Sequence, residues 1–91
     1  MNKLIKFGAT WCAPCRAMDV ILDEIKESIL ILNVDVDEVD PTILQKYKIR
    51  NIPVLQIQDN SGNVLWQHVG TIAKDKLIAK IKEYETDKAE F

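Results

Sequence analysis

Trp11-Cys12-Ala13-Pro14-Cys15-Arg16 is the stretch on which the reading of this chain turns, because it holds both cysteines, two residues apart. Two thiols at that spacing close into a small intramolecular disulfide and reopen. Upstream, Lys3 to Phe7 alternates Leu4 and Lys6 against Ile5 and Phe7, a strand pattern, and Gly8-Ala9-Thr10 breaks it. Downstream, Met18, Ile21, Leu22 and Ile25 recur at i, i+3, i+4 and i+7, the stripe of an amphipathic helix. Pro14 fits the first turn of that helix, where a missing N–H loses no hydrogen bond, and the helix is expected to end near Glu27 or Ser28. The cysteines therefore sit where a strand hands over to a helix.

Further along, Ile29-Leu30-Ile31-Leu32-Asn33-Val34 is short, apolar on both faces and partly β-branched, which reads as a strand covered on both sides. Strand, helix and strand in about thirty residues predict a right-handed unit whose two strands run parallel. Asp35 to Asp40 is an acidic connection. Without the glycine-turn loop of a calcium site, its carboxylates read as solvated, with Asp40 capping a short helix that begins at Pro41. That helix carries Ile43, Leu44 and Tyr47 inward. Ile52-Pro53 then interrupts before Val54–Gln58, a strand of alternating character. Asp59-Asn60-Ser61-Gly62-Asn63 is dense in turn residues, and Val64–Val69 is the return strand of a hairpin closed by Gly70-Thr71. A last helix from about Ala73 buries Leu77, Ile78, Ile81 and Tyr84, and the tail, 86–91, is expected to fray. The expected fold class is α/β: one domain over 1–91, β-α-β-α-β-β-α, with a four-stranded mixed sheet flanked by helices on both faces.

At 91 residues, 47% hydrophobic and 29% charged, the chain is the size and composition of one globular domain. A formal net charge of −2 lacks the clustered basic face that nucleic acid requires. No apolar run approaches the roughly 20 residues of a membrane span, and Met1-Asn2-Lys3-Leu4-Ile5-Lys6 is interrupted too early for a signal peptide. The expected compartment is the reducing cytoplasm, where a cysteine pair is catalytic or metal-binding rather than structural.

Disulfide exchange needs an attacking thiolate, a second thiol to resolve the mixed disulfide, and open approach to only one of them. Cys12, at the start of the helix, meets unpaired backbone N–H groups and the positive dipole end, worth about 0.3–1 kcal/mol to its anion and up to about 2 when partly buried. Cys15, one turn on, is the expected hidden, resolving thiol, and Arg16 adds positive charge nearby. Cys-x-x-Cys is also half of a zinc site. Four ligands are wanted there, and His68, on a distant strand, is the other soft ligand in the sequence, so no metal is expected. Strand, glycine and helix around the pair favour redox chemistry.

With these motifs in order, the chain resembles the thioredoxin family over nearly its whole length. Phe7-Gly8-Ala9-Thr10-Trp11-Cys12-Ala13-Pro14-Cys15-Arg16 is similar to the family's Phe-Trp-Ala-x-Trp-Cys-Gly-Pro-Cys-Lys. Asn33-Val34-Asp35 is similar to a strand ending in Asp, and Tyr47-Lys48-Ile49-Arg50-Asn51-Ile52-Pro53-Val54-Leu55 to Tyr-x-Ile-Arg-x-Ile-Pro-Thr-Leu. Gly62-Asn63-Val64 and Val69-Gly70 resemble the last hairpin and its closing Val-Gly. The resemblance implies that Cys12 attacks and Cys15 resolves. It implies that Pro53 is cis and faces the sulfurs, with the Ile52 backbone pairing to an extended substrate segment. Trp11, Gly70 and Thr71 would form the apolar rim on which a substrate protein rests. The alternatives are a trans proline that merely starts a strand and a Trp11 that belongs to the core. No cofactor is implied. Electrons would come indirectly from NADPH through a thioredoxin-reductase-type flavoprotein, and the substrates would be protein disulfides.

Three departures from the family pattern matter. The family begins with an extra strand and helix that have no counterpart here, which leaves Ile29–Val34 at a sheet edge, a pairing hazard. A monomer with that edge covered, or a weak dimer through it, is expected. Second, Lys6 stands where the family has a buried aspartate beneath the sulfurs, and Ile31 where it has the partner lysine. Lys6 either points at the site, favouring the thiolates or carrying a proton, or snorkels past the sheet. Third, Ala13 replaces a glycine and Gly8 a tryptophan, whose volume Trp66 can fill only if its strand face allows. Two rival functions stand beside a dithiol reductant: a glutaredoxin-like, glutathione-dependent oxidoreductase, and a thioredoxin-fold binding or assembly subunit. Ala-Pro between the cysteines and the flanking Trp11 speak against the first, and the intact cysteine pair against loss of the chemistry in the second.

Overall fold

In the computed structural model, which describes residues 1–86, the elements follow the expected order. They are β1 (Lys3–Gly8), α1 (Ala13–Ile25), β2 (Leu30–Asp35), α2 (Pro41–Lys46), β3 (Val54–Gln58), β4 (Val64–Val69) and α3 (Lys74–Thr86). The sheet order is β2-β1-β3-β4. β1 runs parallel to β2, with Ile5 opposite Leu32, and antiparallel to β3, which pairs antiparallel with β4. The fold is thus the expected α/β arrangement.

Alternation along β1 divides the core. Leu4, with Leu55 and Ile57 of β3, meets Met18, Leu22 and Ile25 of α1 and Leu77 and Ile81 of α3 on one face. Ile5, Phe7 and Val54 point the other way, under Ile43, Leu44 and Tyr47 of α2 and its flank. Each fully buried side chain of this size contributes about 1.5–3 kcal/mol. The Phe7 and Tyr47 rings pack tilted at 5.9 Å between centroids. Asp40 caps α2 by accepting from the Thr42 N–H at 2.9 Å. After α2, Lys48 takes a left-handed φ of 56°, a place usually held by glycine, and the Ile49 N–H reaches back to the Leu44 carbonyl at 2.9 Å.

Several expectations need correction. β2 is an edge strand, as expected, but it is not covered on both sides: Leu30 and Leu32 are 62% and 41% exposed. α2 spans only Pro41–Lys46 and its cluster reaches β2 at Val34, so among the described residues nothing lies over the strand's beginning on that face. β3, read as alternating, is buried on both faces throughout. Its glutamines are accommodated because they bond to each other and to β4: Gln58 Nε2 donates to Gln56 Oε1 at 2.8 Å, and Gln56 Nε2 to Gln67 Oε1 at 2.7 Å. α1 ends at Ile25, slightly early, and in α3 Leu77 and Ile81 are buried while Ile78 and Tyr84 are half-buried. Of the tail expected to fray, 86–91, Thr86 closes α3 and the rest lies outside the described residues.

Candidate active site

The local sequence explains where the cysteines stand. The loop after Gly8 turns on a hydrogen bond from the Cys12 N–H to the Ala9 carbonyl at 3.2 Å. Cys12 is then the N-cap of α1, with extended φ and ψ, and its Sγ accepts from the Cys15 N–H at 3.2 Å. Pro14 occupies the exposed first turn, as expected. The pair is closed as a disulfide with Cα atoms 5.2 Å apart. Ala9 completes a small buried cluster with both cysteines, and Ile52 and Val36 pack against it. Sequence reasoning expected an exposed Cys12 above a hidden Cys15. The contrast is smaller, 5% exposure for Cys12 against 1% for Cys15, because both cysteines lie in one cluster with Ala9, against which Ile52 and Val36 pack.

The Ile52–Pro53 peptide is cis, as the resemblance implies. Pro53 is buried, and its carbonyl accepts from the Gly70 N–H at 2.8 Å, which ties the end of β4 to the proline. Gly70 adopts φ 96°, which favours glycine there. Thr71 is exposed and its carbonyl meets His68 Nε2 at 2.9 Å. Trp11 is 67% exposed, so it does not belong to the core, and its indole N–H donates to Asp37 Oδ2 at 2.7 Å. Arg16 turns its guanidinium to the Thr10 carbonyl at 2.9 Å rather than to the sulfurs.

Lys6 does not snorkel past the sheet. It is buried, its ammonium pairs with the Asp19 carboxylate of α1, and Nζ lies 3.5 Å from the Cys15 carbonyl oxygen. Gly8 permits this. A Cβ there would lie 3.1 Å from Lys6 Cε, 3.2 Å from Cys15 Sγ and 3.3 Å from Cys15 Cβ. The lysine stem and the inner sulfur therefore converge on the bare face of Gly8, whereas Trp66 packs against the α1–α3 core and stacks on His68 at 5.9 Å. An open groove of about 630 Å³ between β1, β2 and α1 borders Lys6, Gly8 and Asp19.

The Thioredoxin family model matches residues 1–83. Thioredoxin C-2 of Corynebacterium nephridii is 39% identical over 84 residues, covering 88% of this chain and 76% of that protein. A thioredoxin of Pyropia yezoensis is 35% identical over 85 residues, 89% of this chain and 78% of its own length. A thioredoxin of Rickettsia bellii is 37% identical over 79 residues, with shares of 82% and 73%. The chain belongs to the thioredoxin family. With Cys12 and Cys15 at disulfide distance, it is a thiol–disulfide oxidoreductase whose redox group is that pair.

Within this thioredoxin fold the structure adds two residues that sequence reasoning missed. Asp19 supplies a carboxylate beside the Lys6 ammonium. A signal existed: a lysine on the covered face of β1 demands a counter-charge, and Asp19 lies one turn beyond Cys15 on the helix that covers it. Asp37 holds the exposed Trp11, and no spacing in the sequence links residues so far apart.

Proposed function

We propose that this oxidoreductase reduces protein disulfides in the cytoplasm and is recharged from NADPH by a thioredoxin-reductase-type flavoprotein. The single observation that carries the reading is the Cys12–Cys15 pair at the start of α1, packed against an Ile52 that precedes a cis proline. In the reduced protein the Cys12 thiolate, favoured by the Cys15 N–H and the helix end, attacks a substrate disulfide. One substrate thiolate leaves and takes up a proton, and a mixed disulfide remains on Cys12. Cys15 then loses its proton and attacks the Cys12 sulfur, releasing the second substrate thiol. Two electrons have passed from the pair to the substrate, and the reductase returns them.

The Ile52 backbone offers an edge to which an extended substrate segment pairs, and Trp11, Gly70 and Thr71 form the rim around it. Pro14 pre-sets the first helical turn between the sulfurs, and Arg16 steadies the preceding loop through Thr10. The open edge of β2 supports a monomer or a weak dimer. The test is insulin-disulfide reduction driven by NADPH and thioredoxin reductase, set against the same assay driven by glutathione. Reduction with the flavoprotein is expected. Reduction with glutathione alone would favour a glutaredoxin-like role, and activity with neither would favour a binding subunit.

A further inference from the structure

A lysine and an aspartate, contributed by β1 and α1, sit under the inner sulfur in a place the exchange steps above leave unused. We propose that Lys6 and Asp19 are positioning residues that set, in opposite directions, the pH at which Cys15 gives up its proton in the resolving step. The proposal rests on the reading that Cys15 resolves the mixed disulfide.

The geometry supplies the means. Lys6 Cε and Cys15 Sγ approach the same bare face of Gly8, at 3.1 and 3.2 Å from its Cβ position, and Lys6 Nζ lies 3.5 Å from the Cys15 carbonyl oxygen, so packing holds the lysine's charge beside Cys15. Asp19, with its side chain 51% exposed, pairs with that ammonium from the groove side. The other charged side chains around the groove are engaged elsewhere. Arg16 donates to the Thr10 carbonyl, Lys26 pairs with Asp23 at 3.1 Å, and Asp35 Oδ1 accepts from the Asp37 N–H at 2.9 Å. Among the described residues of β1, α1 and β2, Lys6 and Asp19 thus form the charged pair of this groove that lies beside Gly8 and Cys15.

When Cys15 attacks, its S–H proton passes to water in the groove. Its electron pair forms the bond to Cys12 Sγ, the Cys12–substrate bond breaks, and the departing thiolate takes a proton from solvent. A fixed ammonium beside Cys15 favours the thiolate on that path, and a neighbouring carboxylate opposes it, the more weakly for being solvated.

The test uses the full chain in its reduced form and an aromatic disulfide that releases a coloured thiol twice, once on Cys12 attack and once on Cys15 resolution. Thiolate ultraviolet absorbance against pH is recorded alongside. Lys6→Met keeps the stem and removes the charge. It is expected to move the second thiol's titration to higher pH and slow the second release on the order of tenfold, with the first release little changed. Asp19→Asn, at an exposed position, is expected to move that titration to lower pH and speed the second release below it. The double variant falls between the two. Titrations left unmoved in both variants, or moved the same way, would overturn the proposal and leave an ion pair that serves stability alone. Wild-type protein that never gives a second release would instead refute Cys15 as the resolving thiol.

Discussion

Cys12 and Cys15 are joined to each other within one helical turn, yet the chain builds their surroundings from different material. Around Cys12 the groups are mostly backbone and apolar: the Cys15 N–H on its sulfur, the start of α1, Ala9, and Ile52 beside the cis proline. Cys15 shares that apolar cluster, and charge is added on its side from separate segments: Lys6 of β1, whose Cε approaches the bare face of Gly8 as the sulfur does, and Asp19 of α1, which pairs with Lys6. The outer sulfur is governed by where the helix begins, and the inner one by which side chains the sheet and helix press together. A backbone environment tolerates substitution around it; a side-chain environment changes with single residues.

The largest effects are expected at the sulfurs themselves. Cys12→Ser is expected to abolish disulfide reduction to background, whereas Cys15→Ser still attacks and accumulates a covalent adduct with substrate, seen by mass spectrometry under non-reducing conditions. If Cys15→Ser formed no adduct, or Cys12→Ser did, the roles would be reversed.

A smaller effect is expected at Gly8. Alanine there places a methyl group 3.2 Å from a sulfur that the disulfide holds in place. Overpacking of this kind costs about 1–3 kcal/mol, against about 0.5–1 kcal/mol that alanine gains over glycine in a strand. Gly8→Ala should therefore lower stability on the order of 1 kcal/mol, read as a lower urea midpoint at unchanged slope. A variant as stable as the parent would show that Cys15 and the Lys6 stem both give way around Gly8 at no cost.

The least effect lies far from both sulfurs. Hydrogen bonds from the Thr42 N–H and hydroxyl hold the Asp40 carboxyl below the ordinary aspartate range. A depressed folded value means that the stability it contributes is present above the unfolded aspartate value and lost as pH falls through the folded one. Asp40→Ala should be slightly less stable than the parent at neutral pH, with the gap closing in acid; a gap that stays constant with pH would assign the loss to something other than the carboxylate.

The same division decides what the sequence made legible. The order of elements along the chain, helix positions and the cap at Asp40 follow from periodicity and turn chemistry, and the place of Cys12 follows from Pro14 and the stripe from Met18 to Ile25. The burial of Gln56 and Gln58 was not legible, because it depends on Gln67 lying opposite across the hairpin. The exposure of Leu30 and Leu32 depends on how short α2 is, which a run of apolar residues in β2 does not encode. Lys6 was visible as an oddity, and its partner became visible only when α1 was laid across β1.

The division of roles, Cys12 attacking from the helix start and Cys15 resolving from one turn deeper although both are buried, is put to the test by alkylating the reduced protein with limiting iodoacetamide at neutral pH and locating the adduct by peptide mass spectrometry. Modification at Cys12 well before Cys15 is the expected result. Equal labelling of the two, or labelling of Cys15 first, would contradict the account.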